Sequence, residues 1–154
     1  MIRTLSVVAA IALGATAVLA QSDVIAARKE FMKNYSKFGN ATLGRMARDR
    51  MPYEQAKVDE ALAHFTETAP KIPSLFSAGG FQGPVPDSNY YAVSKAFESQ
   101  SQSDIKARAE KLAKDLDDTK GKIKDLESLK AIWLAIEKNN CDSCHEAYRL
   151  RRQS

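Results

Sequence analysis

Only two cysteines, Cys141 and Cys144, and two histidines, His64 and His145, occur among the 154 residues. So sparse a set excludes a disulfide framework as the main source of stability and leaves a four-ligand zinc site with no second cysteine pair to complete it. Also missing are an internal repeat and any run of period-two alternation long enough for a strand. Four of the five prolines crowd into residues 69–90, which frees most of the remaining chain to be helical. Lys and Arg number 23 against 19 Asp and Glu, and no basic stripe with interleaved aromatics appears, so nucleic acid is not an expected partner.

The one long apolar run lies at the N-terminus. Arg3 precedes an apolar stretch from Leu5 to Leu19, which ends at Val18-Leu19-Ala20 before the polar Gln21-Ser22-Asp23. This is the pattern of a secretory signal peptide, residues 1–20, and the run is shorter than a spanning helix needs. Cleavage after Ala20 leaves residues 21–154 as one domain in an exported, periplasmic protein without a membrane span.

Over residues 23–48, Val24, Phe31, Met32, Tyr35, Phe38 and Met46 recur at the spacings of one amphipathic helical face. Asp49-Arg50-Met51-Pro52 interrupts that pattern, and Pro52 suits the first position of a second helix, which carries Val58, Leu62 and Phe65 and stops before Pro70. Residues 69–90 read as one long ordered loop, with Ile72, Leu75, Phe76 and Phe81 folding back onto the core. A third helix is strongest over 103–116, where Ile105, Ala109, Leu112 and Leu116 repeat every three or four residues. The polar residues 99–103 leave its start open. Gly121 then punctuates the chain, and Asp125 can cap a last helix in which Leu126, Leu129, Trp133, Ile136, Asn140, Cys144 and Tyr148 share a face. Four helices with a long connection between the second and third predict an all-α, antiparallel four-helix bundle.

That last face runs directly into Asn140-Cys141-Asp142-Ser143-Cys144-His145. On a helix, Cys141 and Cys144 lie on one side and His145 sits one turn from Cys141. Two thiols for thioethers and an imidazole for iron make Cys-x-x-Cys-His the attachment pattern of one covalent haem c. A zinc site finds only His64 as a further typical ligand. A redox dithiol needs its cysteines at a helix N-terminus, not near the end of one. A disulfide across three residues would distort the helix and add little stability.

A C-terminal CxxCH on the last helix followed by Tyr148-Arg149 resembles the class II cytochromes c, the cytochrome c′ family. "ARKEFMKN" in the first helix, "MPYEQAKVDEALAHF" and "GKIKDLESLKAI" are similar to its low-spin, Met/His-ligated members. The resemblance implies thioethers at Cys141 and Cys144, His145 as the proximal iron ligand and Met32 as a candidate distal ligand. It further implies that Arg28 and Arg149 border the haem, and that a homodimer can form through the first two helices.

Two functions then stay open. With Met32 on the iron, the protein is a periplasmic one-electron carrier with no substrate and no catalytic residues, and Arg149, Arg151 and Arg152 can meet an acidic redox partner in transient encounters. With Met32 only packed, the distal side is an apolar pocket lined by Phe31 or Tyr35, and a five-coordinate haem there binds nitric oxide or carbon monoxide. His64 belongs to the edge of a core face in either case, and no distal acid–base pair supports a peroxidase.

Overall fold

In a computed structural model, residues 26–76 and 102–148 are described, and all of their regular structure is helical. The signal segment, Phe81, the polar run before residue 102, and Arg149, Arg151 and Arg152 lie outside the described residues. Helix α1 covers 26–47: α-helical over 26–35, π-helical over Ser36–Gly44, and closed by an α turn at Arg45–Ala47. Helix α2 spans Gln55–Thr68 and α3 spans Gln102–Asp117. Helix α4 begins with Leu126–Ile136, widens into a π stretch at Glu137–Asp142 and returns to α geometry over Ser143–Tyr148. Each helix packs against two neighbours, which gives the expected antiparallel four-helix bundle.

Local chemistry sets the boundaries. Asp49 ends the α1 turn in the left-handed region at φ 55, a conformation that a short polar side chain tolerates, and its carboxylate meets Lys130 of α4 at 3.1 Å. Gly121 adopts φ 68 in the turn between α3 and α4. Asp125 then caps α4: its side chain accepts from the Ser128 N–H at 2.8 Å while the Ser128 hydroxyl accepts from the Asp125 N–H at 3.1 Å, a reciprocal capping box.

Two expectations need correction. Pro52 does not open α2; the chain stays non-helical through Glu54, an extended N-cap at φ −138, and the helix begins at Gln55. Gln55, the first residue of the helix, donates to Asp59 at 2.8 Å and to the Ile123 carbonyl at 3.1 Å, which ties the start of α2 to the chain before α4. The stretch after α2 is likewise not all loop: Ala69–Lys71 forms a 3₁₀ turn and Ile72–Leu75 a short helix. Pro70 and Pro73 sit in the first turns of these pieces, where a missing N–H breaks no hydrogen bond.

The bundle has two unlike halves. Toward the α1–α2 and α3–α4 connections, Leu43, Met46, Val58, Ala61, Leu116, Ile123 and Leu129 form a closed core. Toward the other end the helices part around a cavity. Phe65 of α2 and Trp133 of α4 stack across the bundle axis at 5.3 Å between ring centres, at the boundary of the two halves. Gly39 of α1 lies against both rings, and a Cβ there would come within 3.2 Å of Phe65 and 3.3 Å of Trp133.

Candidate functional site

The cavity measures about 330 Å³ and is walled by all four helices. From α4 come Trp133, Glu137, Asn140, Cys141, Cys144, His145 and Tyr148; from α1, Met32, Tyr35, Ser36, Gly39 and Asn40. Phe65, Ile72 and Phe76 close it from the α2 side, and Ile105, Arg108, Ala109 and Leu112 from α3. The two cysteines, His145 and Met32, separated by about a hundred positions in sequence, therefore line one space. The π stretches of α1 and α4 both contribute to its wall, supplying Ser36, Gly39 and Asn40 on one side and Glu137, Asn140 and Cys141 on the other. A π turn carries more residues than an α turn, so each stretch rephases the side chains that follow it. Met32 and Tyr35 precede the α1 stretch and are half-buried because they face the cavity, whereas Leu43 and Met46 point into the closed core.

Cys141 and Cys144 form no disulfide with each other, and both are partly buried. Burial pushes the Cys141 thiol up to about 12, with Glu137 and Asp142 adding to the effect, and burial also raises Cys144 against the opposing charge of Arg108. Both are therefore protonated at neutral pH, the reverse of an activated redox dithiol. Asn140 fixes the turn just before them. Its amide donates to Asp115 at 2.8 Å and to the Ile136 carbonyl at 3.2 Å, and its oxygen accepts from Lys111 at 3.2 Å. Glu137, one turn earlier and on the cavity wall, pairs at 2.5 Å with Arg48, the residue that follows α1.

Arg28 is only 1% exposed, so it is not part of a solvated helix face. Its Nε donates to the Leu75 carbonyl, and its guanidinium lies 5.4 Å from the centre of the Phe76 ring, itself a cavity wall. Burial lowers its pKa to about 10, so it stays cationic at neutral pH. Arg28 thus stands behind Phe76 and is not itself among the lining residues. Phe31 also stands back, stacked on Tyr35 at 4.6 Å, while Tyr35 reaches the cavity. His64 packs on Phe38 at 4.4 Å outside the cavity, the edge position that its sequence neighbours suggested. Met46 lies in the closed core and Met51 packs against it, so neither competes with Met32.

Arg108 is a lining residue that sequence reasoning missed. Its Nε donates to Asp104 at 2.6 Å and its Nη1 to the Ser143 hydroxyl at 3.3 Å, linking α3 to the last turn of α4. In sequence it is one more member of the (i, i+4) ion pairs that α3 carries throughout, and nothing there sets it apart.

A largely apolar space lined by two thiols that can form thioethers, an imidazole and a methionine sulfur fits a covalently attached iron porphyrin. The indole N–H of Trp133 adds a buried donor without an acceptor among the described residues, on the cavity wall. These features define a haem-bearing four-helix bundle. The chain belongs to the cytochrome c′ family, whose model, described as Cytochrome C', matches residues 23–149. It is 39% identical over 150 residues to cytochrome c-556 of Rhodopseudomonas palustris, with 97% of each chain covered. Among solved structures it is similar to an NMR-validated structure of oxidized R. palustris cytochrome c556, with 33% identity and a TM-score of 0.71 over 86% of this chain and 99% of that one. It is equally similar to cytochrome c' from Rhodopseudomonas palustris, with 30% identity and a TM-score of 0.70 over 85% and 98%. Its cofactor is covalent haem c. No helix among the described residues is long and apolar enough to cross a membrane.

Proposed function

We propose that this chain is an exported one-electron carrier in which Cys141 and Cys144 hold the haem through thioethers, His145 is the proximal ligand and Met32 the distal one. The observation that carries the reading is the single cavity shared by Met32 from α1 and the Cys141–Cys144–His145 cluster from α4. When bound, haem supplies one-electron exchange at its iron, with a potential tuned by the axial pair. The chain's own residues supply the rest. Ile72, Phe76, Ile105 and Leu112 keep water from the cavity, and the Phe65–Trp133 stack closes its floor. Asn140, tied to Asp115 and Lys111, holds the approach to Cys141 in place. Export rests on the N-terminal pattern ending at Ala20, and transient docking to an acidic partner rests on the basic run Arg149, Arg151 and Arg152.

A second reading is motivated by the comparisons, since similar proteins carry both the c556 and the c′ names. In it Met32 packs without ligating, and the space bounded by Tyr35 admits a small gas. The ferric electron paramagnetic resonance (EPR) spectrum separates the two. The carrier reading requires a low-spin signal at neutral pH that Met32→Ala converts to high-spin; a high-spin wild type would discard Met32 as ligand. Haem that leaves the chain on denaturing electrophoresis would count against thioethers at Cys141 and Cys144.

A further inference from the structure

The turn that carries Cys144 and His145 is the most exposed part of α4. Glu146 and Ala147 face solvent, and the π stretch before it interrupts regular α hydrogen bonding. What seats this turn against the bundle comes from one face of α3. The Tyr148 hydroxyl donates to Asp104 at 2.5 Å, and Arg108 donates to the same carboxylate oxygen at 2.6 Å. Arg108 also reaches the Ser143 hydroxyl at 3.3 Å, and its guanidinium lies 5.8 Å from the centre of the Tyr148 ring. Ile105, between the two charged residues in sequence, packs against Tyr148, Ile72 and Phe76. The contacts thus bracket His145, with Ser143 before it and Tyr148 after it.

This cluster differs from its neighbours on α3. The Lys106–Glu110 and Lys114–Asp118 pairs have both partners more than half exposed and join residues four apart along the chain. Arg108 instead spends its donors on two elements at once and lines the cavity. A planar guanidinium with donors in a fixed fork can do this; a lysine ammonium cannot match both directions and the ring face together.

We infer that Asp104, Arg108 and Tyr148 form a clamp that positions the His145 turn over the cavity, so that α3 sets the orientation of the proximal ligand from outside the CxxCH motif. The inference rests on the proposed role of His145. These are positioning residues: they act through His145.

The test uses the haem-loaded protein and four variants, Tyr148→Phe, Arg108→Gln, Arg108→Lys and the control Lys106→Gln. Tyr148→Phe keeps the ring and its packing and removes only the hydroxyl, so it stays informative if an Arg108 variant folds poorly. Backbone hydrogen exchange across residues 143–148 should accelerate about tenfold in Tyr148→Phe and Arg108→Gln, the loss expected for one hydrogen bond to a charged group. The reduction potential and the ferric EPR signature should shift with it, Arg108→Lys should fail to restore either, and Lys106→Gln should match wild type. Unchanged exchange would overturn the clamp. Faster exchange with an unmoved potential and EPR signature would overturn the claim that the clamp orients the ligand, as would equal shifts in Lys106→Gln. His145→Ala tests the underlying reading separately: an EPR signature that survives it removes His145 as ligand, while the exchange result still reports on the clamp.

Discussion

A methyl group at Gly39 should press on the floor of the haem cavity. The Cβ of Gly39→Ala would lie 3.2 Å from Phe65 Cζ and 3.3 Å from Trp133 Cζ2, tighter than ordinary carbon contact, so one ring must yield by a few tenths of an ångström. Neither has free space behind it. Phe65 is 2% and Trp133 1% exposed, the rings are stacked on each other, and Phe65 also meets Tyr35 edge-on at 4.8 Å between centres. The open direction is the cavity, the space the proposed reading assigns to the haem. Overpacking of this kind costs about 1–3 kcal/mol, while replacing a mid-helix glycine by alanine returns about 0.5–1 kcal/mol. The clash should win by about 1 kcal/mol, which lowers the thermal midpoint of a domain this size by about 3–6 °C.

Far-ultraviolet circular dichroism on fully loaded protein measures that midpoint, and the ferric absorption spectrum should change alongside it because both rings border the cofactor space. A Gly39→Ala protein with a raised midpoint and an unaltered spectrum would refute the reasoning, since helix propensity alone would then account for the substitution.

Burial holds the His64 imidazole below its ordinary pKa, with Lys71 and Lys37 acting the same way and Glu67 opposing them, so the unfolded chain takes up a proton first. Stability should therefore fall as pH drops from about 6.5 toward the folded-state value and level off below it. His64→Phe, which also removes a buried Nε2 without a partner among the described residues, should flatten that slope when denaturant midpoints are compared at about pH 7.5 and about pH 5.5. Asp125→Ala breaks both halves of the α4 capping box and should cost about 1 kcal/mol in denaturant unfolding without altering the haem spectrum. A loss below a few tenths would mean that the α4 start is held by packing instead.

Helix α3 was legible almost residue for residue: the Ile105, Ala109, Leu112, Leu116 repeat is the buried face of the observed helix. Such a helix buries one continuous stripe, and the stripe is written in the order of its residues. The capping of α4 by Asp125 was legible for a similar reason, because an N-cap is a local bargain between a side chain and the next turn. Pro52 misled because proline at the first helical position is permitted, not compelled. The residue that does open α2, Gln55, is tied to the Ile123 carbonyl, 68 positions away, a contact that local sequence does not display. The two π stretches left no trace in spacing, since one wide turn alters the phase by about one residue, within the scatter of any amphipathic pattern.

The site divides along the same line between local and non-local causes. Cys141, Cys144 and His145 stand within five residues of one another, so their convergence follows from a single helix and needed no tertiary information. Met32 could be nominated only by resemblance, because its place in the same cavity depends on how α1 lies against α4. Arg28 and Arg108 show what sequence withholds. Both are arginines on helical faces rich in charge, yet one is buried behind Phe76 and the other bridges Asp104 and Ser143. An (i, i+4) pair looks the same in sequence whether it faces solvent or a neighbouring helix, and only the packing of α3 on α4 separates Asp104–Arg108 from Lys106–Glu110. On the proposed reading, the covalent anchor of the cofactor is a property of one segment, whereas the orientation of its ligand is a property of the bundle. Substitutions on α3, far in sequence from CxxCH, should accordingly tune the haem without detaching it.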